Sequence, residues 1–586
     1  MTYTAPVDDI ISALKAVAGL DARLANGLYP GLDAETIRAV FEQAGTFASG
    51  VLAPLNASGD RTGSKLVNGA VVTPAGFKDA YAQFVSGGWS ALPCPEAYGG
   101  QGLPEIVSAA VCEIWNSANM AFGMCPLLTQ GAIHAIEAGG SETLKATYLP
   151  KMISGEWTGT MNLTEPHAGS DLSELKTRAE RLADGMYKIT GTKIFISYGD
   201  HDMAENIIHL VLARLPDAPG GTRGISLFLV PKFLLNADGS VGARNDVVCA
   251  GIEHKLGITA SPTCVMKFGE TSGAIGYLVG EENRGLATMF VMMNQARLAV
   301  GMQGVAIAER ATQRAIAFAK ERTQGKAAHA NGPGMSPIIA HPDIQRTLLT
   351  MKAMTQAARM ICLATAGALD AAHLSQNADE AKAARNLAAL LTPVAKAFAT
   401  DVAVEVASLG VQVHGGMGFV EETGAAQHLR DARILPIYEG TNGIQAIDLV
   451  MRKLPLEGGG VVKDYFANCA RTVAKLEASK MPGLDDAGAK LRNAVSALHK
   501  ASQWIGGALK NNPEAALAGA TPYLRLFALV AGASYLLDAA LQDGARSQDV
   551  VMAKFFAQNC LTAADGLAEI VISGSESVLA GAGVLA

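Results

Sequence analysis

The sequence predicts a mainly α-helical protein with a central β-barrel. Two observations lead to this fold class. The spacing of apolar residues changes from helical steps to alternation at about residue 160, and it returns to helical steps at about residue 283. A chain of 586 residues is longer than one hydrophobic core usually supports, so several domains are expected. The predicted domains are a helical N-terminal domain with a short N-terminal extension (1–160), a β-barrel (161–282), a second helical domain (283–455) and an additional C-terminal helical domain (461–586).

The N-terminal domain is predicted to be helical because its apolar residues recur at steps of three and four. The clearest examples are Ile37–Leu55 and Ile106–Phe122. Between them, Pro93–Pro104 contains too many glycines and prolines for regular structure and is predicted to be a loop. The first residues, MTYTAPVDDI, lack a basic segment followed by an apolar core, so no secretory signal is predicted.

The barrel domain is predicted from short β-rich segments with turn residues between them. These segments favour a compact antiparallel sheet or barrel. They are Tyr187–Ser197, Asn206–Leu215, Gly224–Pro231 and Thr263–Phe268.

The rest of the chain is predicted to be helical again. Long helices are expected at Leu286–Glu321 and Ile344–Leu374, joined by a Gly- and Pro-rich connection of the kind that is often functional or mobile. After Pro455 the stretch LEGGG is interpreted as a linker, and residues 461–586 are alanine-rich without a chemical motif. The apolar run Leu526–Leu537 has 12 residues, whereas a membrane span needs about 20, so we predict a buried helix and no integral membrane segment.

Composition and missing motifs narrow the function classes. A net charge of −7 argues against nucleic acid as the main partner. The eight cysteines are scattered singly, which is typical of reduced thiols in a cytoplasmic protein, and no metal site is predicted. The sequence lacks GxSxG, GxxxxGK[ST], HExxH and a GxGxxG after a strand, so hydrolase, P-loop, zincin and Rossmann chemistry are not expected.

Two segments around the barrel carry residues suited to a flat polar ligand. The stretch MNLTEPHAGSDLS, Met161–Ser173, offers small residues and hydroxyls that let a backbone approach such a ligand closely. Ser170 and Asp171 there are equally compatible with capping a turn. Phe195 and Ser197 lie one pleat apart on the same face of a predicted strand, although Phe195 alone is more typical of a core residue.

Glu439 is the candidate catalytic residue. It follows the apolar residues of LPIY and precedes Gly440, which lets the chain turn sharply. Apolar surroundings raise the pKa of a carboxyl group and make it a stronger base. The alternative is that Glu439 lies just before the N-cap of a helix, at Thr441 or Asn442, and only favours the helix dipole.

Seven segments in order along residues 35–455 resemble the acyl-CoA dehydrogenase family. They are PEAYGGQG, LTEPHAGSD, GTKIFIS, ENRGLATMF, the pair Glu321–Arg322, QVHGGMGF and IYEGTN. The resemblance is strongest to a bacterial branch with a C-terminal extension that includes 3-methylmercaptopropionyl-CoA dehydrogenase. It implies an acyl-CoA dehydrogenase-like fold, in which a helical domain, a β-barrel and a helical bundle hold FAD between them.

The resemblance also implies roles for individual residues. Thr164 is expected near the flavin N5 edge, and Arg322, Gln412 and Gly416 are expected to reach FAD across a subunit interface, which implies at least a dimer. The full cofactor set is Met161, Leu163, Thr164, Gly169, Ser170, Phe195, Ser197, Arg322, Gln324, Gln412, Gly416, Thr441 and Gly443. The substrate set is Ser170, Asn294, Arg297, Tyr438 and Gly440. For Arg297 a surface salt bridge is the alternative role.

The implied reaction is the α,β-dehydrogenation of an acyl-CoA thioester. Glu439 takes the α-proton, and the β-hydrogen leaves as hydride to flavin N5, giving a trans-2-enoyl-CoA. Electron-transfer flavoprotein is the expected acceptor, and the substrate is either 3-methylthiopropionyl-CoA or a short-, medium- or long-chain fatty acyl-CoA. The alternatives are an acyl-CoA oxidase that uses oxygen and, in another class, a non-catalytic helical CoA-binding scaffold.

The sequence departs from the family pattern in three places. His167 replaces a small or neutral residue in TEPxAGSD. The segment ERTQG lacks the family's aromatic residue, which puts the role of Gln324 in doubt. The usual Asp on the CoA-facing helix is Asn294.

Overall fold

The computed structural model describes residues 3–331, 333–479 and 481–585. The side chains of Phe290, Val291, Met292 and Asn294 lie outside this description. The chain falls into two compact units, each assembled from separated segments. The barrel unit comprises Phe47–Pro104 and Ala118–Ala296, and the bundle unit comprises Met1–Thr46, Glu105–Ser117 and Arg297–Ala586.

The barrel unit combines helices with a β-sheet. The helix Glu105–Gly139 enters it after Ser117 and is interrupted at Asn119, whose φ of −159° and ψ of 92° are not helical. Gly285–Glu321 likewise runs through both units. The other helices are Ala53–Thr62, Phe77–Ser86 and Glu142–Ser154, and the strands are Lys65–Val67, Ala70–Val72, Trp157–Asn162, Arg178–Arg181, Tyr187–Ser197, Asn206–Arg214, Ile225–Pro231, Phe233–Leu235, Val241–Arg244, Val247–Ile252, Thr263–Phe268 and Ala274–Val279.

Five of these strands close into a ring. Starting from Arg178–Arg181, the pairing runs through Tyr187–Ser197, Ala274–Val279, Ile225–Pro231 and Asn206–Arg214, and it returns to Arg178–Arg181. A sheet that closes on itself has no unpaired edge within the ring. The predicted central β-barrel is therefore confirmed.

The strand Asn206–Arg214 shows why the barrel needs two apolar faces. Ile208, Leu210 and Leu212 pack in one buried cluster with the helices outside the sheet, while Val211 and Ala213 pack in a second cluster inside the barrel. Alternate residues of a strand point to opposite faces, so both sets are buried. The strand is a nearly continuous apolar run for this reason.

Two features of the strand pairing differ from the prediction. Trp157–Asn162 runs parallel to Asn206–Arg214, so the sheet is not antiparallel throughout. The sequence period fixes which side chains share a face, but it does not fix the direction of the partner strand. A hairpin, Lys65–Val67 with Ala70–Val72, also lies within the part of the chain that was predicted to be helical. Its turn is Asn68–Gly69, and both residues have positive φ, as a two-residue hairpin of this type requires.

The bundle unit is helical. Its helices before Pro455 are Val7–Ala18, Leu20–Ala25, Ala34–Phe47, the first part of Glu105–Gly139, most of Gly285–Glu321, Pro342–Leu374, Ala378–His414, Ala425–Ala432 and Asn442–Asp448. Those after Pro455 are Gly460–Ala478, Ala487–Asn511, Pro513–Ala518, Ala520–Ala540, Ser547–Asn559, Ala564–Ser573 and Ser575–Ala580. The predicted linker LEGGG is a 3₁₀ turn, Leu456–Gly459, that leads directly into the next helix.

A buried ion cluster joins three helices of the bundle unit. Arg359 lies 2.7 Å from a carboxylate oxygen of Glu113 and 2.8 Å from one of Glu309. Arg359 and Glu113 are almost completely buried. Buried charges of this kind are tolerated only when they are paired and hydrogen-bonded, so these helices depend on one another.

The C-terminal helices pack closely on the bundle. Around the run Leu526–Leu537, the helix Ala520–Ala540 has 21 residues and is longer than the predicted apolar segment. A Cβ added to Gly532 would lie 2.8 Å from the Cβ of Ala357, so a glycine allows this helix to approach Pro342–Leu374.

Within the part of the chain that the structure describes, two helices are long and apolar enough to cross a membrane by length and composition. They are Ala378–Phe419 and Ala520–Ala540, and 78% and 83% of their most apolar windows are buried inside the protein. A bent pair, Ser547–Ser573 with Ser575–Val584, passes the same test when it is taken as one span. Because the apolar surface of the two long helices is used by packing, these helices give no indication of an integral membrane protein.

Candidate active site

Glu439 lies in a short turn between apolar residues and the helix Asn442–Asp448. Its side chain is partly buried, and its backbone has the left-handed φ of 55°, followed by a φ of 83° at Gly440. Thr441 is the N-cap of the helix, since its hydroxyl accepts a hydrogen bond from the Ile444 N–H at 3.3 Å. The cap is thus made by Thr441, which leaves the carboxylate of Glu439 available for another role.

Two cations, Arg297 and Lys396, influence the pKa of Glu439. Burial raises the pKa of the Glu439 carboxyl group, and the nearby Arg297 and Lys396 oppose this rise. Arg297 is buried, with Nη1 lying 3.7 Å from Oδ2 of Asp448, so the salt bridge expected as its alternative role exists but is not at the surface. Among the described residues, Arg297 Nε has no hydrogen-bond partner, which suits a site that binds a polar group.

Two amides and a lysine hold the turn around Glu439. The Gln445 Nε2 atom lies 3.4 Å from the carbonyl oxygen of Glu439 and 3.5 Å from that of Gly440. Lys396 Nζ donates to the Gly440 carbonyl oxygen and to Oδ1 of Asn442, at 2.9 Å in each case. Neither Lys396 nor Gln445 is among the residues predicted from the sequence. A single lysine within the apolar run VAKAFATDVAV was the available signal for Lys396.

Tyr438 is anchored by a chain of side-chain hydrogen bonds. Its hydroxyl donates to Oε1 of Gln303, and Gln303 Nε2 donates in turn to Oδ1 of Asn116 at 3.0 Å. The phenol therefore fixes the residue before Glu439 to two neighbouring helices, and the role of Tyr438 in substrate binding stays a prediction.

A buried lysine, Lys193, hydrogen-bonds to the segment 161–165 in the barrel unit. Lys193 Nζ donates to the Leu163 carbonyl oxygen and to Oε1 of Glu165, at 2.9 Å in each case. The Ile194 N–H donates to the Thr164 carbonyl oxygen at 2.9 Å. Lys193 is fully buried and was missed, because the alternation of the strand does not reveal which lysine faces inward.

Phe195 presents an exposed aromatic ring beside this segment. The ring is 59% exposed, and the residue has a left-handed φ of 60°. Ser197 is half-buried on the same strand, and its carbonyl oxygen accepts from the Thr160 hydroxyl at 2.7 Å. An exposed aromatic face, the partly exposed Thr164 and the neighbouring small residues fit a flat heteroaromatic ring. The core role that was open for Phe195 does not fit its exposure.

The remaining predicted cofactor residues of the barrel unit are placed as follows. Met161 is buried and ends the strand Trp157–Asn162 together with Asn162, whereas Gly169 and Ser170 are exposed. Asp171 accepts from the Ser173 N–H at 2.8 Å, which is the turn-capping role that the sequence left open. His167 lies with Nε2 3.0 Å from the Glu174 carbonyl oxygen and 3.5 Å from Oε2 of Glu165.

The predicted residues of the subunit interface are all exposed. They are Arg322, Gln412 and Gly416 in the bundle unit, and the predicted cofactor residues Gln324 and Gly443 are exposed as well. Their exposure is compatible with contacts to a second chain, and their role stays a prediction. The predicted substrate residue Asn294 has its side chain outside the described residues.

Comparisons with known proteins place these features in one family. Family models match residues 34–156 (acyl-CoA dehydrogenase, N-terminal domain), 160–271 (middle domain), 283–454 (C-terminal domain) and 465–581 (acetyl-CoA dehydrogenase C-terminal like). The 3-methylmercaptopropionyl-CoA dehydrogenase of Ruegeria pomeroyi is 49% identical over 534 residues, which cover 90% of this chain and 89% of that protein.

Solved structures share the fold. A Caenorhabditis elegans protein, ACDH-11 in complex with C11-CoA, matches with a TM-score of 0.80 at 19% identity and covers 96% of this chain and 92% of its own. An acyl-CoA dehydrogenase complexed with FAD from Bacillus anthracis matches with a TM-score of 0.73 at 22% identity and covers 94% and 91%.

The expected fold, including the additional C-terminal domain, and the expected resemblance are confirmed. Acyl-CoA dehydrogenases use FAD, so the expected cofactor is confirmed for the family as well. The chain belongs to the acyl-CoA dehydrogenase family of oxidoreductases.

Proposed function

We propose that this enzyme oxidises an acyl-CoA thioester to the trans-2-enoyl-CoA and that Glu439 is the base that removes the α-proton. The observation that carries this proposal is the partly buried Glu439 in a left-handed turn, with Arg297 and Lys396 acting on its charge. A strained backbone and a perturbed carboxyl group in one turn are typical of functional sites.

The geometry suits proton abstraction from a weak carbon acid. The α-proton of a thioester is held far more tightly than a carboxylic proton, so the base must be oriented and partly desolvated. Burial makes the Glu439 carboxylate a stronger base by raising its pKa, while Arg297 and Lys396 limit that rise.

FAD, when bound, supplies the acceptor for the hydride that leaves the β-carbon. Thr164, Phe195 and Ser197 would hold its ring, supported by the exposed Phe195 side chain and by the way Lys193 and Ile194 fix the neighbouring segment. Arg322, Gln412 and Gly416 would contact it from a second chain of a homodimer.

The proposed substrate is 3-methylmercaptopropionyl-CoA. This proposal is supported by the identity of 49% to the Ruegeria pomeroyi enzyme that carries this name, along nearly the whole length of both chains. Electron-transfer flavoprotein is the proposed electron acceptor. A cytoplasmic location is proposed because all eight cysteines are free thiols and six of them are buried.

Flavin bleaching under argon tests the reaction and the base together. We expect 3-methylmercaptopropionyl-CoA to bleach the wild-type flavin faster than butyryl-CoA does. Glu439→Gln should keep the flavin absorbance but lose roughly 10²- to 10⁴-fold in bleaching rate, because the amide cannot accept the α-proton. Stopped-flow absorbance of the oxidised flavin measures both effects.

A matched substitution controls for the loss of a negative charge. Glu576 is exposed in the helix Ser575–Ala580, so Glu576→Gln should bleach at the wild-type rate. Wild-type bleaching by Glu439→Gln would place the base elsewhere. Faster bleaching by butyryl-CoA would reject the proposed substrate and leave the reaction class standing.

A further inference from the structure

Lys396 is a buried cation in the middle of the helix Ala378–His414. Its side chain is fully buried, in a stretch of the helix where Val394, Ala397 and Phe398 are buried as well. A buried ammonium group is costly unless hydrogen bonds and opposite charges compensate for its lost hydration. The partners of Lys396 therefore indicate why a charge is kept at this position.

Both hydrogen-bond acceptors of Lys396 belong to the turn that carries Glu439. Nζ donates to the carbonyl oxygen of Gly440, the residue that follows the base, and to Oδ1 of Asn442, the first residue of the next helix. Both distances are 2.9 Å. The ammonium group therefore ties the turn to a long helix directly on the C-terminal side of Glu439.

The charged groups around Lys396 form a small network. Glu439 and Asp401 raise the pKa of Lys396, and Arg297 lowers it. Asp401 Oδ1 accepts a hydrogen bond of 2.7 Å from Asn442 Nδ2, so this carboxylate reaches the same asparagine from the other side.

Arg525 and Glu405 belong to the outer part of this network. Arg525 lowers the pKa of Asp401, and Glu405 raises it. They pair with each other at 2.8 Å. The outer charges therefore compensate one another and leave Lys396 facing Glu439 and Asp401.

We propose that Lys396 is a positioning residue for the base: its ammonium group fixes the turn after Glu439 and keeps a positive charge beside the carboxylate. This proposal rests on the proposed role of Glu439. It gives the lysine two separable effects, a hydrogen bond that orients the turn and a charge that favours the ionised base.

The electrostatic interaction between Lys396 and Glu439 also supports this positioning role. Burial raises the pKa of Glu439, and Arg297 and Lys396 lower it. Burial lowers the pKa of Lys396 to about 7, against the influence of Glu439 and Asp401. Arg297 is shared with Asp448, so the loss of Lys396 removes a cation that Arg297 does not replace.

The pH dependence of flavin bleaching tests the charge effect. Glu439 must be ionised to accept a proton, so the bleaching rate of the wild-type holoenzyme rises with pH through the pKa of the base. Lys396→Met removes the cation and raises that pKa. We expect the midpoint of the rise to move up by roughly one pH unit. At a pH below both midpoints the bleaching rate should fall about tenfold, and it should recover at high pH.

Three further variants separate the charge from the packing. Lys396→Gln keeps a donor for the Gly440 carbonyl oxygen without the charge and should show the same shift; it also carries the test if Lys396→Met does not fold. Lys396→Arg keeps the charge and should restore the wild-type midpoint. Thr400 lies one turn further along the helix and hydrogen-bonds the same Asn442. Thr400→Val should therefore leave the midpoint unchanged, because it removes no charge.

The outcomes distinguish this inference from the proposed function. A wild-type midpoint in folded, flavin-containing Lys396→Met or Lys396→Gln overturns the role of Lys396, provided that Glu439→Gln has lost bleaching. If Glu439→Gln still bleaches, the proposed base is wrong and the inference falls with it. An equal shift in Thr400→Val would assign the effect to packing and would also overturn the proposal.

Discussion

Two of the residues expected to carry the chemistry have a strained backbone. Glu439 and Phe195 are non-glycine residues with left-handed φ values of 55° and 60°. Each such residue costs of order 1–3 kcal/mol and persists only when its surroundings hold it. At Glu439 the surroundings are the hydrogen bonds of Lys396 and Gln445 to the turn.

Gly440→Ala should destabilise the protein and slow the reaction. Gly440 has a φ of 83°, and an added Cβ would lie 2.6 Å from Nε2 of Gln445, so both the backbone and Gln445 must shift. We expect a loss of about 1–3 kcal/mol in the free energy of unfolding, together with slower flavin bleaching, because the base is displaced. Urea unfolding and stopped-flow absorbance measure the two effects.

Gly443→Ala is the matched control for stability. Gly443 lies in the first turn of the helix Asn442–Asp448, where the nearest atom to an added Cβ is the Thr441 hydroxyl at 3.9 Å. Alanine is favoured over glycine in a helix by about 1 kcal/mol, so this variant should be as stable as the wild type or more stable. Equal unfolding midpoints for the two variants would contradict the importance of the turn.

At the residue scale, the local sequence suggests a role for a side chain but does not reveal which distant residues hold it in place. The apolar residues before Glu439 and the glycine after it pointed to a base. The contacts of Lys396 could not be predicted, because its acceptors lie 44 and 46 positions further along the chain. The same holds for the bond between Tyr438 and Gln303, across 135 positions.

Secondary-structure elements were predictable where the apolar period is long and uniform. The strands Tyr187–Ser197 and Thr263–Phe268 have the predicted bounds, and the helices Gly285–Glu321 and Pro342–Leu374 begin within two residues of the prediction. The hairpin at Asn68–Gly69 was missed although its turn is a strong local signal, because its strands are only three residues long. Parallel pairing of Trp157–Asn162 depends on a partner almost 50 positions away.

Asp9→Asn should loosen the attachment of the first helix to the C-terminal helices. Asp9 lies in Val7–Ala18, where it contacts Arg546 at 2.8 Å and accepts from Gln548 Nε2 at 2.7 Å. We expect a loss of about 1–3 kcal/mol at pH 7, the usual range for hydrogen bonds to a charged group. The adjacent Asp8 is 74% exposed in its pair with Arg38, so Asp8→Asn should change stability by less than about 1 kcal/mol.

The penalty of Asp9→Asn should depend on pH. Burial alone would raise the pKa of Asp9, but Arg359, Lys352 and Arg546 together lower it below its usual value of 3.8. The stabilisation is therefore present above pH 3.8 and is lost as the pH falls through the lowered pKa. Urea midpoints of wild type and variant should differ most at neutral pH and converge below about pH 4. A stability difference that is constant with pH would exclude the ionised carboxylate of Asp9 as the cause.

At the scale of the whole molecule, compact units and sequence order do not coincide. The segment Glu105–Ser117 belongs with residues after 296, although residues of the barrel unit lie on both sides of it. Contacts such as the hydrogen bond of 3.0 Å between Tyr29 and Asp370 join segments 341 positions apart. The periodicity of apolar residues predicts a division into four consecutive domains, but it cannot predict such long-range pairing. The domain boundaries stay a prediction.

The dimer is the prediction that concerns the whole molecule. The segment 415–420 follows Gln412, a predicted subunit contact, and exposes Met417, Phe419 and Val420, with Phe419 at 88%. Contiguous exposed apolar residues mark interaction surfaces. The helix Ala520–Ala540 packs on the bundle helices Pro342–Leu374 and Ala378–His414. Residues 461–586, to which it belongs, are predicted to cover the surface that a tetramer would use.

Sedimentation should therefore give twice the mass of one chain. Phe419→Glu places a charge in the predicted interface and should shift the protein towards the monomer. It should also lower flavin retention, because Gln412 and Gly416 are predicted to complete the FAD site of the second chain. Val584 is 87% exposed near the C-terminus, so Val584→Glu should change neither property. A tetramer in the wild type would contradict the covering role of the C-terminal helices, and a dimeric Phe419→Glu would place the interface elsewhere.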